Sequence, residues 1–471
     1  MFIEYIKMTT SQQEASQVGA FSSMLAFKDH KKRSAGGSIE RVILPAVNGN
    51  SFRCSQSIDI VVPGSTEGYM DTHNSYLRFK INYNRTAATA GHRLRLPTNG
   101  VYCLFKRVEL IASGVTISSI DEYSKLCNLV LDMDMADDHR VLSGAVQYGM
   151  GANASDDYEN AGQDLSGGST GAATLYSAEF CFTPIMTALF SATKYLPLMG
   201  DQLRLRFTLN DFDNAFISGE RAATDVPWAG DSNDVTISPV ELIMYKIHLD
   251  DLPQALVQQN TGNVFSLVLN DFTNSKGTVA TGDTSSVFNT GYSYTSLSRI
   301  LFAFYPSITN VGDRGLVDLE RHKVTRSVSQ YCFNVSGKNI PSQKLKGKAG
   351  GAEVLQENKA SLHLLGDFQH TSSIDAKNFN IANHDSSDTD ADGETYGAIG
   401  SRHYEIDLET LKQYSDENGY YSGISTISKN TSVQVEYSAG GSQQCEVNMW
   451  AEHQIGLTLD MNGSRTWSVI V

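Results

Sequence analysis

Strict alternation of apolar and polar residues in short runs is the sequence feature that most constrains the fold. At residues 203–209 the sequence LRLRFTL puts Leu203, Leu205 and Phe207 on one side and Arg204 and Arg206 on the other. A period of two is the side-chain period of a β-strand with one packed face and one polar face. Similar runs recur along the chain between clusters of Gly, Asn, Asp and Ser. The sequence therefore predicts a mainly β protein.

The alternating runs predict strands in both halves of the chain. In the first half we expect strands at residues 51–62, 74–83, 101–117, 203–209 and 235–249. In the second half we expect them at 264–269, 296–305, 328–340, 404–408, 431–437 and 446–459. Helical periodicity is brief, at 120–133 and 352–365, and predicts two short decorating helices rather than a core layer.

The length of the chain requires more than one core. A chain of 471 residues exceeds the size at which a single hydrophobic core stops growing. We expect a flexible N-terminal arm at 1–38, a first domain at 39–250, a linker at 251–262 and a second domain at 263–471. The Gly-, Ser-, Asn- and Asp-rich stretch 143–174 predicts a long surface loop in the first domain.

The two halves share landmarks at one constant offset. The apolar positions 77, 79 and 81 fall on 300, 302 and 304, an offset of 223 (300 minus 77). At the same offset Ser113-Gly114 falls on Ser336-Gly337 (336 minus 113), and glycine suits a tight strand-to-strand turn because it adopts positive φ readily. These coincidences indicate an internal duplication, although Ser-Gly pairs are common in turns and short apolar runs align easily.

Composition excludes several functional classes. A formal charge of −15 argues against a surface devoted to phosphate binding, which depends on Lys and Arg. The six cysteines are scattered without a C-x-x-C pair, which predicts buried thiols and folding in the cytosol or nucleus. We expect neither a secretory signal nor a membrane-spanning segment, and either Met1 or Met8 could be the start.

Motifs that could carry chemistry lack the context that the chemistry needs. The G-x-S-x-G match around Ser169 lies in low-complexity sequence without a preceding strand, so we interpret it as a loop. The stretch from Asp388 to Gly393 resembles the start of an EF-hand, but Ile399 replaces the bidentate glutamate. The cluster Asp132, Asp134, Asp137 and Asp138 is typical of solvated carboxylates near a helix end. We therefore predict no catalytic residue, no metal site and no cofactor.

Basic residues are concentrated near the N-terminus. The group comprises Lys28, Lys31, Lys32, Arg33 and Arg41. It could form an inward-facing arm that contacts the genome, an inner membrane or a cement protein, and a solvated flexible arm is the alternative.

Several longer segments resemble a known family. In the first half these are NSYLRF at 74–79, KRVELIASGVTI at 106–117 and LPLMGDQLRLRFTLN at 196–210. In the second half they are SRILFAF at 298–304, VSGKNIP at 335–341 and YSGIST at 421–426. In order and spacing they resemble double jelly-roll major capsid proteins, most closely those of polinton-like viruses and virophages. The fold class implied is all-β, with two tandem eight-stranded jelly-roll β-sandwiches and short decorating helices.

The resemblance also implies a structural role. It implies a homotrimer with a pseudo-hexameric outline that contacts neighbouring capsomers, penton proteins and minor or cement proteins in the icosahedral shell of a double-stranded DNA virus. The protein would be made in the host cytosol, assembled in the cytoplasm or nucleus, and found in the virion. Two alternatives are a carbohydrate-binding or carbohydrate-cleaving β-sandwich, which the presence of only three tryptophans disfavours, and a single-roll minor capsid or attachment protein.

Overall fold

Two β-sandwiches follow one another along the chain. The structure is a computed structural model. It describes residues 36–64, 67–85, 93–151, 162–165, 174–192, 194–220, 226–227, 234–251, 254, 257–258, 261–307, 323, 328–347, 352–362, 403–409, 423–438, 444–461 and 465–470.

The first sandwich is built from eight principal strands in two sheets. The strands are β1 (Gly37–Pro45), β2 (Ser57–Val62), β3 (Tyr69–Arg85), β5 (Phe105–Ala112), β6 (Val115–Asp121), β7 (Thr174–Phe182), β9 (Leu203–Leu209) and β12 (Val235–Leu249). One sheet has the order β1-β12-β3-β7 and the other β2-β9-β5-β6, with all neighbours antiparallel. Counted along the chain, these orders are first-eighth-third-sixth and second-seventh-fourth-fifth.

The second sandwich repeats this plan. Its eight principal strands are β13 (Val264–Val279), β14 (Ser285–Asn289), β15 (Leu297–Pro306), β16 (Val328–Val335), β17 (Lys338–Lys346), β18 (Tyr404–Asp407), β19 (Thr431–Tyr437) and β20 (Cys445–Asp460). The sheets have the orders β13-β20-β15-β18 and β14-β19-β16-β17, which are again first-eighth-third-sixth and second-seventh-fourth-fifth. This is jelly-roll connectivity twice in one chain, as the sequence predicted.

Smaller elements extend the two sandwiches. The additional strands are β4 (Arg93–Arg95), β8 (Leu196–Pro197), β10 (Ile217–Glu220), β11 (Val226–Pro227) and β21 (Trp467–Ile470). The helices are a 3₁₀ turn (Gly100–Leu104), α1 (Tyr123–Asp134), α2 (Asp137–His139), a π-helical turn (Arg140–Gly144), α3 (Ala145–Tyr148), α4 (Phe212–Ala215) and α5 (Ala352–Ser361). Both α1 and α5 follow the fifth principal strand of their sandwich. Among the described helices, none combines the length and hydropathy that a membrane crossing requires.

The two Ser-Gly landmarks occupy the same turn in the two sandwiches. Each dipeptide forms the two-residue connection between the fourth and fifth strands, with Ala112 opposite Val115 and Val335 opposite Lys338. The φ angles are 50° and 80° in the first turn and 49° and 87° in the second. Positive φ at both central positions matches the right-handed twist of a hairpin, which explains the glycine. The offset of 223 found in the sequence is therefore a structural equivalence.

The structure corrects two predictions, the strand at 101–117 and the decorating character of the first helix. Residues 100–104 form a 3₁₀ turn in which every side chain is buried, so their apolar run reflects burial on all sides rather than a strand. The helix α1 buries nine of its twelve residues, so it is part of the core and not a surface decoration. The short helix α5 buries only three residues.

Other differences concern strand boundaries. Of the run 51–62 only Ser57–Val62 is a continuous strand, and the sequence did not predict β1, β7 or β14. The β1 sequence GSIERVILP lacks strict alternation of apolar and polar residues. Most of its side chains are exposed, so the strand has no buried face that requires an apolar residue at every second position. The strands at 203–209, 235–249 and 431–437 agree with prediction to the residue.

All six cysteines are free thiols in the structure, as the sequence predicted. Four of them are buried, and Cys54 and Cys181 are half-buried. Burial raises the pKa of the Cys54 thiol to about 12 and also raises that of Cys127. These groups are therefore protonated at neutral pH and are poor nucleophiles.

The paired turns give a direct test of the duplicated hairpin. A Cβ added at Gly114 or Gly337 would meet nothing within 4 Å, so Gly→Ala there adds only the backbone cost of a left-handed conformation. We expect Gly114→Ala and Gly337→Ala each to lower the free energy of unfolding by about 1–2 kcal/mol in urea titrations. Asn at the same positions, which tolerates positive φ, should lower it less. An effect at only one of the two glycines would contradict the equivalence.

Candidate functional site: the seam between the two sandwiches

The strand β15 of the second sandwich is buried on both faces. In β15, Ile300, Phe302 and Phe304 point into the core of the second sandwich, whereas Leu301 and Ala303 belong to the core of the first, and all five are fully buried. The outward side chains of β15, together with Trp450 of β20 and Phe272 of β13, therefore pack against the first sandwich. We call this contact the seam: it joins β6 and α1 of the first sandwich to β13, β15 and β20 of the second.

Two buried tryptophans fix the position of the second sandwich at the seam and beside it. The Trp450 Nε1 donates a hydrogen bond of 3.1 Å to the Asp121 carbonyl oxygen at the end of β6. The Trp467 Nε1 donates one of 3.1 Å to the Asp201 carbonyl oxygen, also in the first sandwich. Each indole buries a large apolar surface while its N–H remains satisfied, so these contacts combine hydrophobic energy with orientation.

A charged cluster at the start of α1 crosses the seam. The Glu122 carboxylate lies 2.9 Å from Lys125 Nζ and 2.5 Å from Lys276 Nζ of β13. Burial alone raises the pKa of Glu122, but the two ammonium groups outweigh it and hold that pKa at about 2. The Lys125 ammonium also lies 4.9 Å above the centre of the Tyr305 ring. One carboxylate thus connects both sandwiches.

A second charged group is buried behind α1. The Asp132 carboxylate lies 3.1 Å from Arg140 Nη2 and 3.5 Å from Lys323 Nζ, and all three side chains are essentially inaccessible. Arg140 also donates a hydrogen bond to Asn99. Lys323 belongs to the connection between β15 and β16, so the second sandwich contributes one cation to a buried site of the first. Asp132 is therefore not solvated as predicted, whereas Asp134 and Asp138 are exposed.

A buried titratable pair lies where β6 meets β13. Asp271 accepts a hydrogen bond of 2.5 Å from Ser118 Oγ across the seam, and its other oxygen lies 3.7 Å from His453 Nε2. The Tyr294 ring stacks on the imidazole at 3.7 Å between centroids. Burial raises the pKa of Asp271 to about 6 and lowers that of His453 to about 4. Between those pH values both side chains are held uncharged.

A cavity of about 320 Å³ opens between α1 and the second sandwich. Its lining includes Asp134 from α1 and Ser298, Arg299 and Glu452 from the second sandwich, and Arg299 and Glu452 form an ion pair. In the part of the chain that the structure describes, no three His, Cys, Asp or Glu side chains are arranged to hold a metal. The seam is suited to holding two sandwiches together.

The residues singled out from sequence are distributed differently. Ser169, the stretch 388–393 and the basic residues Lys28, Lys31, Lys32 and Arg33 lie outside the described residues. Arg41 lies in β1 opposite Tyr245, so the sheet holds it in place. The role of the basic group stays a prediction.

Sequence reasoning missed the residues that make the seam, including Lys323, Asp271 and His453. One signal was present: the run 297–305 is apolar almost throughout, which is typical of a strand buried on both faces. The polar partners carried no such signal because their pairing joins elements more than 150 residues apart.

The Asp271 and His453 pair predicts opposite pH effects for two variants. Asp271 stabilises the fold below pH 3.8 and loses this contribution as pH rises through about 6, whereas His453 stabilises it above pH 6.5 and loses this as pH falls through about 4. As the pH rises from 4 to 6, Asp271→Asn should therefore gain stability relative to wild type. Over the same range His453→Gln should lose stability relative to wild type. We expect changes on the order of 1 kcal/mol in urea unfolding. Parallel pH profiles for the two variants would refute this account.

This chain resembles known proteins in structure rather than in sequence. No protein-family model and no curated protein matches the chain. Among solved structures, that of the Sputnik virophage superposes with a TM-score of 0.58 at 10% identity, covering 96% of this chain and 92% of that one. The VP54 protein of PBCV-1 gives a TM-score of 0.57 at 11% identity, with 94% and 99% covered.

A third structure extends this likeness. The mavirus major capsid protein gives a TM-score of 0.53 at 9% identity, covering 96% of this chain and 95% of that one. These solved structures are double jelly-roll major capsid proteins, and the carbohydrate alternative receives no support from them. Trp450 and Trp467 are buried and so cannot form a sugar-stacking platform. The near-complete coverage of both chains and the repeated strand order show that this chain has the double jelly-roll fold.

Proposed function

We propose that the protein is the major capsid protein of an icosahedral double-stranded DNA virus and forms pseudo-hexameric, trimeric capsomers. The observation that carries this proposal is the repetition of one strand order in two sandwiches of a single chain. The similar structures, covered over more than nine tenths of their length, are capsid proteins, which are structural and not enzymes.

The duplication has a geometric use in a shell. A trimer of a chain with two similar sandwiches has six similar walls, which suits hexagonal packing better than three. Each wall is one sandwich. The seam holds the two sandwiches of a chain in one arrangement through buried contacts such as the hydrogen bond from Trp450 to Asp121. This arrangement supports the proposed homotrimer and its contacts with neighbouring capsomers.

The proposal includes partners and a location. The capsomers would contact penton proteins and minor or cement proteins, and the protein would be located in the virion after synthesis in the host cytosol and assembly in the cytoplasm or nucleus. We also propose that 39–250 and 263–471 are the two domains, joined by a linker at 251–262. The arm at 1–38, with Lys28, Lys31, Lys32 and Arg33, would contact the genome or an inner membrane, with Arg41 at its base.

Oligomeric mass and particle images test the proposal. We expect the purified protein to have three times the mass of one chain by native mass spectrometry and to show hexagon-like outlines in negative stain. Three copies of a duplicated sandwich give six lobes of similar size, whereas an unassembled β-sandwich protein would show two. A monomer at all concentrations and salt conditions would refute the capsomer.

Deletion of the N-terminal residues tests the arm separately. Because β1 begins at Gly37, removing residues 1–35 leaves the strand intact and should leave the trimer unchanged. We expect fewer closed, filled particles when capsids are assembled in cells, since the clustered positive charge is lost. Replacing Lys28, Lys31, Lys32 and Arg33 by Gln in the full-length chain should reproduce the defect. If both variants gave filled particles at the wild-type yield, the arm would have no role in closing or filling the particle.

A further inference from the structure

Two asparagine side chains at the seam have buried amide atoms without a hydrogen-bond partner in the described part of the chain. Asn448 of β20 is 0% exposed, and both its Nδ2 and its Oδ1 are unpartnered. Asn274 of β13 has an unpartnered Nδ2. Leaving a buried amide unpaired costs free energy, so native structures keep few such groups. Asn448 is the stronger case because both of its polar atoms are affected.

The register of the sheet places Asn448 directly opposite a lysine. Asn448 pairs with Lys276 of β13 on one side and with Ala303 of β15 on the other. Facing residues project to the same side of a sheet, with Cβ atoms about 4.5–5.5 Å apart. Trp450, two residues along β20, contacts the first sandwich, so Asn448 and Lys276 project toward the seam as well. The amide carbon of Asn448 is therefore within reach of the Lys276 side chain.

A carboxylate lies against the same lysine. The Glu122 carboxylate is 2.5 Å from Lys276 Nζ, and the Glu122 side chain is 8% exposed. The hydrogen bond from Trp450 to the Asp121 carbonyl holds the end of β6, and with it Glu122, over this part of β20. Glu122 has a φ of 52°, a left-handed conformation that is costly for a residue other than glycine. The chain accepts this cost at the residue whose carboxylate meets the lysine.

An amine, an amide and a carboxylate shielded from water are the groups that formation of an isopeptide bond requires. A neutral amine attacks the amide carbon, and a carboxylate moves protons from the amine to the leaving nitrogen. Burial disfavours charged forms, so it assists transfer of a proton from an ammonium group to a neighbouring carboxylate. Asn448 meets the requirement for an acceptor because water does not reach its amide.

We propose that Lys276 Nζ attacks Cγ of Asn448 to form an isopeptide bond between β13 and β20, with Glu122 as the proton carrier. Glu122 first takes a proton from the Lys276 ammonium group. The bond from Nζ to Cγ forms, the bond from Cγ to Nδ2 breaks, and the two protons that Nζ loses pass through Glu122 to the leaving nitrogen. That nitrogen departs as ammonium, Glu122 is again ionised, and no oxidant or cofactor is consumed.

The reaction occurs once per chain, after folding, and it does not depend on the proposed capsomer. Although burial raises the pKa of Glu122, the ammonium groups of Lys125 and Lys276 hold it at about 2. The protonated carboxyl group is therefore rare, and the bond forms slowly. Once formed, it connects the first and eighth strands of the second sandwich and encloses β14 to β19 in a loop. Closing a long loop restricts the unfolded chain and so stabilises the folded subunit.

Denaturing mass spectrometry of the purified full-length chain tests the bond. We expect the wild-type chain to be lighter than its sequence mass by one molecule of ammonia. A tryptic digest should contain a branched peptide that joins the segments around Lys276 and Asn448. Lys276→Arg, Asn448→Ala and Glu122→Gln should each restore the full mass and abolish the branched peptide. Lys276→Arg retains a cation beside Glu122, so it removes the nucleophile while conserving the charge.

A matched control identifies the acceptor. Asn274→Ala removes the neighbouring amide, which lies opposite Trp450 rather than a lysine, and should leave the mass deficit and the branched peptide unchanged. Cyclisation of Asn448 on its own backbone also releases ammonia, but it needs no lysine and gives no branched peptide. Circular dichroism checks that each chain is folded. A folded wild-type chain at its full sequence mass, a deficit that persists in Lys276→Arg, or a branched peptide that contains Asn274 as the acceptor would each overturn the inference.

Discussion

The rest of the structure depends on covering the outer face of the β13-β20-β15 sheet. Leu301, Tyr305, Trp450 and Phe272 point away from the core of their own sandwich and are buried by the first one. Exposing four such side chains to water would cost roughly 6–12 kcal/mol, which is comparable with the whole stability of a domain. The second sandwich therefore cannot present this sheet to solvent. The two sandwiches are held in one arrangement by this constraint.

Polar groups at the seam determine the alignment more than the strength of the contact. Asp132, Arg140 and Lys323 form a buried charged group, and the cost of removing these charges from water offsets much of what their pairing contributes. Asp271 and His453 are buried beside each other as well. A shift of one sandwich along the other would leave these groups buried without partners, which is strongly unfavourable. Hydrophobic burial thus supplies most of the free energy that holds the two sandwiches together. The polar groups exclude arrangements in which one sandwich is shifted along the other.

The sequence predicted connectivity better than it predicted contacts. Strict alternation located 203–209 and 431–437 to the residue because each strand has one packed and one polar face. The constant offset of 223 located equivalent turns because the second central position of each turn has a φ above 80° or close to it, which favours glycine. By contrast, the sequence of β1 has no period of two because most of its side chains are exposed. The helix α1 was predicted to be a surface helix because its periodicity does not reveal that its second face is also buried. Partners such as Ser118 and Asp271 come together only after both sandwiches fold, so no local pattern encodes them.

A reconstruction of the purified oligomer by electron cryo-microscopy, at a resolution that separates strands, tests the central claim most directly. The account predicts a trimer in which each chain contributes two sandwiches held together by the seam, so that six sandwiches of similar size are resolved. A two-fold assembly, or chains whose two sandwiches do not meet at the seam, would contradict it.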